Sequence, residues 1–406
     1  MNVRLISHAS VLIKTLDVVV LTDPWLFGTA FNDSWCLSNK PSEFNLDEVT
    51  HLWISHEHSD HFHPPTLKSF PQEFKNRVKV LFQDNYSDRI PNALEEFGYN
   101  DIFRMKHRKK LYLGNTLFYC YQSGIMDSSL AIGEKEEIIL NLNDCQFYKS
   151  DAKLVLKDLG HVDTLLNQFS YATNSGKTDY HTRLPREAFE ILDRMVSNHR
   201  DLKAKVTMPF ASFIRFCSTE NQFMNQYMNT VYDVKVRFEK DGLECKSFEL
   251  PDKVPMELTE PCSVKVEHIW FNFSELCRKL YLNYPSWILW FFRSMTVYIP
   301  DIGKSVKFSL KHRSFHIPKS PRNKHDLVIN SQALNYSFAH LWGNQTLSIS
   351  GRFTIHSNFN RWLACRLLFA FNNAEIRFDI RTLKWVMSRW RGLLWQVINQ
   401  FRFIKY

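Results

Sequence analysis

Residues 50–61 read THLWISHEHSDH, an apolar strand that delivers its C-terminal end directly into a run of histidines and carboxylates. His56, His58, Asp60 and His61 form the pattern HxHxDH. Three imidazoles and a carboxylate within six residues at a strand end can supply ligands to two adjacent metal ions, because alternate residues point to one side and the following turn returns the others. Sites are built at strand ends. A polar surface loop with chance histidines would not combine four ligand residues with a buried strand before them.

The elements around this motif are short. Val3–Ile6, Val11–Lys14 and Val18–Leu21 are closely spaced β-branched runs, which predict an antiparallel meander. Ser128–Ile132 and Ile138–Leu142 flank GEKEE and read as a hairpin that runs on into Asn143 and Asp144. Val234–Phe238 and Leu243–Phe248 flank Asp241-Gly242 and read as a second hairpin. Helices are expected at Thr66–Phe70, Tyr86–Phe97 and Arg186–Asn198. Strands alternating with helices and no GxGxxG argue for a mixed α/β sandwich rather than a dinucleotide fold.

At 406 residues, with 44% hydrophobic and 15% aromatic residues, the chain is long enough for two folded domains. Charge divides it: residues 1–256 hold 30 Lys+Arg against 34 Asp+Glu, and residues 257–406 hold 21 against 8. Pro251, Pro255 and Pro261 mark a linker at 251–262, which leaves domains at 1–250 and 263–406. No apolar run approaches the roughly 20 residues of a membrane-spanning helix, and the N-terminus lacks a signal-like pattern, so a cytoplasmic protein is expected. The eight cysteines include no CxxC, CxH or CxxH, which excludes zinc ribbons and a Rieske cluster within these residues and leaves reduced, mostly buried thiols. No nucleic-acid-binding motif accompanies the basic second part, and nucleic acid is not an expected partner.

The HxHxDH motif and its strand resemble the metallo-β-lactamase superfamily. LTDPWLFGTAFNDSW (21–35), NLNDC (141–145), QFSYA (168–172) and MPFASF (208–213) are similar to the metal-binding domain of CMP-N-acetylneuraminate hydroxylases and their bacterial relatives. The resemblance covers roughly residues 1–250. It implies an α/β fold, an αββα sandwich, followed here by a smaller α+β domain. It also implies one or two divalent metal ions, zinc, iron or manganese, with His56 and His58 on one metal, Asp60 and His61 on the other, and Asp144 as the bridge. His8, in the HA/TDP opening, would line the substrate cavity as a catalytic residue beside Asp60, or be an ordinary strand histidine. Asp23 would orient a ligand histidine.

Two positions depart from the family pattern. The segment before the bridging aspartate, YQSGIMDSS, has no histidine, and Asp127 is the candidate to replace it. Ser218 stands where relatives carry the last histidine, with Glu220 as a candidate substitute and His161 and His181 as further ones. A carboxylate-rich ligand set leans toward iron or manganese. The resemblance implies a metal-dependent hydrolase acting on a phosphorylated, nucleotide-linked or acylated small molecule, an amino-sugar derivative among them. The alternatives are a non-haem di-iron hydroxylase, which would need a separate electron-transfer partner, and a binding protein on the same fold.

Residues 325–353 faintly resemble a sterol-carrier-like domain: a strand, a helix containing Trp342, then a strand pair. The C-terminal end interleaves Trp385, Trp390 and Trp395 with Lys384, Arg389, Arg391, Arg402 and Lys405. Docking of that aromatic face on the first domain is the leading expectation; the other is a peripheral contact with an anionic membrane.

Overall fold

The computed structural model describes residues 1–356 except 86, 291, 293 and 319–324, together with 372, 375, 377, 380, 384 and 387. The aromatic face expected from Trp385, Trp390 and Trp395 lies outside the described residues.

The opening meander forms as its valine runs predict: β1 (Asn2–Leu5), β2 (Val11–Lys14) and β3 (Val19–Thr22) pair antiparallel. The chain leaves this sheet through β4 (Thr29–Ala30) and β5 (Trp35–Leu37), then returns in β6 (His51–Ile54) parallel to β3. β7 (Lys79–Gln83) and β8 (Asp101–Met105) add in parallel, giving the order β1-β2-β3-β6-β7-β8. Parallel neighbours need crossovers. Helices α1 (Pro64–Ser69), α2 (Gln72–Arg77) and α3 (Arg89–Glu96) supply them. The period of two sorts the side chains: Leu52, Ile54, Val80 and Phe82 pack with Leu67, Phe74 and Leu94 of the helices, whereas Trp53 and Leu81 face the other way.

The second sheet is β9 (Leu111–Leu113), β10 (Thr116–Ser123), β11 (Asp127–Glu134) and β12 (Glu137–Asn141), all antiparallel, then β13 (Val162–Gln168) and β14 (Ala204–Phe210) in parallel. The predicted β11–β12 hairpin is therefore present, with Glu134 paired to Glu137 across its turn. Crossovers run through α4 (Lys149–Leu159) and α5 (Tyr180–Asp201). Phe118, Leu130, Ile132, Leu166 and Phe210 meet Trp53, Val20 and Leu81 in one apolar layer between the sheets. Ala152 and Val155 of α4 cover Ala131, Leu140 and Leu165 on the opposite face. The layers are helix, sheet, sheet, helix.

The expected hairpin at Val234–Phe238 and Leu243–Phe248 does not form. Its first half is helix α6 (Val231–Lys240). Thr230 accepts from the Asp233 backbone while the Asp233 carboxylate accepts from the Thr230 N–H, a reciprocal cap. Val234 and Phe238, four apart, are both buried, and Asp241-Gly242 is a helix stop with Gly242 at φ +67° rather than a hairpin turn.

β15 (Ile214–Phe216) pairs with β5. The later residues build a separate apolar cluster. Ile269, Phe273, Leu276 and Leu280 of α7 (Val266–Asn283) pack on a five-stranded sheet. Its strands are β16 (Met295–Ile299), β17 (Lys304–Ser309), β18 (Ser314–His316), β19 (Leu327–Ile329) and β20 (Phe353–Ile355), in the order β18-β17-β16-β19-β20. After α8 (Ser286–Leu289), two helices stand between β19 and β20: α9 (Ser331–Ala339) and α10 (Gly343–Ser350). The sequence expectation there, a helix containing Trp342 and then a strand pair, is corrected: Trp342 caps α10, and a single strand follows. The alternation in TLSIS imitates a strand, but Gly343 lets α10 cross close under α9, where a Cβ would lie 2.2 Å from the Tyr336 carbonyl oxygen.

The α10–β20 segment is fastened to the sandwich. Ile349 joins the cluster of Trp25, Trp35, Phe216 and Met224. Buried Arg352 donates to Glu220 at 2.7 Å, to the Asn32 carbonyl at 2.7 Å and to Gln332 at 2.8 Å. Asn221 Nδ2 donates to the Ser350 carbonyl at 2.8 Å. Among the described residues no helix is long and apolar enough to cross a membrane. Cys120, Cys145, Cys217 and Cys277 are buried, as the scattered spacing suggests.

Candidate metal centre

Three parallel strand ends of the first sheet and one end of the second sheet's hairpin converge. The β1–β2 turn brings His8, the end of β3 brings Asp23, and the loop after β6 brings His56 to His61. Asp127 opens β11 and Asp144 follows β12, so the hairpin sets the two carboxylates at one edge.

Two groups of potential ligand atoms result. In one, His56 Nε2 lies 2.7 Å from His58 Nδ1 and 3.9 Å from both Asp127 Oδ1 and Asp144 Oδ2. In the other, Asp60 Oδ2 lies 3.1 Å from His8 Nε2 and 3.2 Å from His61 Nε2. Asp144 Oδ2 is also 3.3 Å from His61 Nε2, so this carboxylate stands between the groups, as a bridge would. His8, Asp60 and His61, and separately His56, His58 and Asp144, are each compact enough to hold one cation.

Orphaned polar atoms test the fit. His61 Nε2, Asp60 Oδ1 and Asp144 Oδ1 are buried with no hydrogen-bond partner. Unpartnered buried acceptors are costly, and a divalent cation is what such a set of lone pairs accommodates. The residues present therefore fit a metal.

Charge is distributed accordingly. Burial pushes the Asp127 carboxyl up to about 7, with the neighbouring Asp144 adding to the shift. Burial opposes ionisation of Asp60, yet the His61 and His8 imidazoles outweigh it and hold that carboxyl well below the usual range. For His61 the Asp60 and Asp144 carboxylates overcome burial and raise its pKa well above the ordinary value. His56 is pushed well down by burial and by the His61 and His58 rings. A cation entering here competes with the proton on His61, so uptake releases protons.

Supporting contacts fix the cluster. Asp23, fully buried at φ +35°, accepts from the Ser55 backbone N–H and hydroxyl at 2.7 Å each, from Asn143 Nδ2 at 2.5 Å and from His61 Nδ1 at 3.0 Å. The expectation that Asp23 orients a ligand histidine matches this geometry. Thr22 Oγ1 donates to the Ala9 carbonyl and accepts from the Val11 N–H, which ties the His8 turn to the TDP strand. Gln83 Nε2 and Ser128 Oγ both donate to the Ser55 carbonyl, at 2.8 and 2.6 Å. Trp25 and Trp35 stand edge-on to the His8 ring at 5.8 and 6.3 Å, forming an aromatic wall.

Other candidates are corrected. The Glu220 carboxylate pairs with Arg352 and Asn330 instead of joining either group. Ser218 sits in the turn with Asn221, whose Oδ1 accepts its backbone N–H. His161 meets the Glu136 carbonyl and the Asp163 carboxylate, at 2.8 and 3.2 Å, and His181 meets the Tyr227 hydroxyl; neither histidine belongs to the two groups around Asp60 and Asp144. Glu57, inside the motif, turns away to pair with Arg89. His8 Nε2 lies 3.1 Å from Asp60 in the Asp60–His61 group, beside the position for which Glu220 was one candidate. Sequence reasoning missed Gln345 of α10, whose amide nitrogen lies 2.5 Å from His58 Nε2; at 287 residues' separation no local pattern signals it.

Residues 2–124 match the family model described as the β-lactamase superfamily domain. The chain carries a metallo-β-lactamase fold. It is 28% identical over 229 residues to the cytidine monophosphate-N-acetylneuraminic acid hydroxylase of Asterias rubens, covering 51% of this chain and 34% of that protein. It is 25% identical over 242 residues to the Danio rerio protein of the same name, covering 54% and 39%. The matched part thus spans little more than a third of these relatives' length. Among solved structures, a diiron β-hydroxylase from Streptomyces venezuelae is similar with TM-score 0.44 and 15% identity, covering 62% of this chain and 53% of that one. An isothiocyanate hydrolase from Delia radicum gut bacteria is similar with TM-score 0.47 and 13% identity, covering 63% and 98%.

Proposed function

We propose that the chain is a dinuclear metal-dependent hydroxylase acting on a phosphorylated, nucleotide-linked or acylated small molecule such as an amino-sugar derivative. Asp127 carries the reading. Its Oδ1 is as far from His56 Nε2 as the Asp144 oxygen is, 3.9 Å, which supports a carboxylate in the role of a third imidazole beside the His56, His58 and Asp144 group. His56 and His58 with Asp127 and Asp144 on one side, and His8, Asp60 and His61 on the other, form a mixed set of four imidazoles and three carboxylates, a combination that suits iron. The printed names of the relatives support the same reading. When bound, two such ions would supply dioxygen activation, with electrons from a separate donor protein.

The chain's own residues bind and orient. His56, His58 and Asp127 would hold one ion and His8, Asp60 and His61 the other, with Asp144 available to both. Asp23 keeps the His61 ring turned by holding the proton at Nδ1, and Trp25 and Trp35 exclude water behind His8. A second reading, hydrolysis by metal-bound water, draws on the His8–Asp60 pair, 3.1 Å apart, as the acceptor of the water's proton. Metal analysis of protein purified without added metal, followed by reduction and exposure to dioxygen, distinguishes them. Two iron ions and dioxygen uptake on re-oxidation are expected. Two zinc ions with no uptake would favour hydrolysis, and no bound metal would leave only a binding protein on this fold.

A further inference from the structure

Of the two nitrogens on the His58 ring, one faces the cluster and the other faces a residue from the far end of the chain. Nδ1 points to His56 Nε2 at 2.7 Å, and Nε2 meets the carboxamide of Gln345 at 2.5 Å. That carboxamide also touches Met126 Sδ at 3.3 Å, one residue before Asp127. We infer that Gln345 is a positioning residue for the metal centre: the helix Gly343–Ser350 completes the site by holding the His58 ring through Nε2.

The inference rests on the proposed metal-binding role of His58. An imidazole that coordinates through Nδ1 carries its proton on Nε2, so the group facing Nε2 must accept. Rotating the Gln345 side-chain amide by 180° presents Oε1 to His58 in place of the nitrogen at the same distance, in exchange for the Nε2 contact with Met126 Sδ. The resulting chain of carboxamide, imidazole and metal is the arrangement that fixes ring orientation and raises ligand basicity. It parallels Asp23 on His61, where a buried carboxylate meets Nδ1 at 3.0 Å. The sandwich itself holds His61 through Asp23 and His56 through the Ser55 hydroxyl at 2.8 Å, and the later part of the chain holds His58.

Gln345 can act this way because its helix is fixed. Gly343 permits the close crossing against the Tyr336 carbonyl, and Gly351, at φ +67°, ends the helix where a Cβ would lie 2.8 Å from Asn174 Cβ. Ile349, Ser350 and Arg352 anchor the same segment to Trp35, Asn221 and Glu220.

Equilibrium binding of ferrous or manganous ion to the full chain, measured by competition with a chelating dye, tests this with two variants. Gln345→Leu removes the acceptor and should weaken metal binding about 10–100-fold. Gln345→Glu offers a stronger acceptor of the same shape and should bind metal at least as tightly as the wild type. A packing role alone would harm both variants alike, so equal loss in both overturns the inference, as does no change in Gln345→Leu. If the wild type itself takes up no metal, the proposed function fails first and this inference with it.

Discussion

Replacing Asp23 with alanine removes the one acceptor that four buried donor groups share. The Ser55 backbone N–H cannot find another partner, and neither can the Asn143 amide and the His61 Nδ1–H unless each reverses. Each buried donor left unpaired costs about 1–3 kcal/mol. With none reversed, the three together cost about 3 kcal/mol or more in Asp23→Ala, before any loss from the cavity; the Ser55 N–H alone costs about 1 kcal/mol or more. Asp23→Asn is milder, because Asn keeps an oxygen for the Ser55 N–H while the Ser55 hydroxyl can turn to accept from the new NH2. Asn143 can present its Oδ1, which has no partner, and only the His61 contact is then lost. That predicts about 1–3 kcal/mol for Asp23→Asn. Urea unfolding in a chelating buffer, followed by the fluorescence of buried Trp25, Trp35 and Trp53, measures both without a contribution from bound metal. An Asp23→Ala variant within about 1 kcal/mol of the wild type, or one no worse than Asp23→Asn, would refute this account of the Asp23 network.

Asp144→Asn should weaken both ions together, because its Oδ2 is 3.3 Å from His61 and 3.9 Å from His56; loss of one ion with the other held at full affinity, seen in a metal titration, would contradict bridging. Asp127 carries a pH signature: its pKa is raised to about 7, so in the metal-depleted protein its favourable contribution is complete below its ordinary pKa near 4 and is lost as pH rises through 7. Asp127→Asn should therefore gain stability over the wild type between pH 5 and pH 8 in chelator, by about 1–2 kcal/mol after discounting for its partial solvent contact. A difference that stays flat across that range would show that burial does not penalise the Asp127 charge.

Much of the sandwich was legible because its strands are short, valine-rich and cleanly bounded. The motif was legible because His56, His58, Asp60 and His61 follow a strand whose inward and outward faces both read as apolar. The β11–β12 hairpin brought Asp127 and Asp144 together because GEKEE can only turn. Where the reading failed, local chemistry competed with pattern. Val231–Lys240 carries β-branched residues that suggest a strand, but the Thr230–Asp233 cap and the spacing of Val234 and Phe238 select a helix. Thr346–Ser350 alternates like a strand, yet the close crossing at Gly343 keeps it helical. His8, Glu220 and Gln345 were settled by tertiary contacts: His8 by the fold of the β1–β2 turn onto Asp60, Glu220 by the pull of Arg352, and Gln345 by the docking of a helix whose distance in sequence leaves no local trace.

The central claim is that these residues hold two metal ions with Asp144 between them. Anomalous X-ray scattering from crystals of the iron-reconstituted chain, recorded at the iron edge, tests it most directly. Two peaks are predicted about 3.5–4 Å apart, one beside His56, His58 and Asp127 and the other beside His8, Asp60 and His61. A single peak, or one that leaves His8 or Asp127 outside contact distance, would contradict the ligand assignment, and no peak at the cluster would contradict the claim itself.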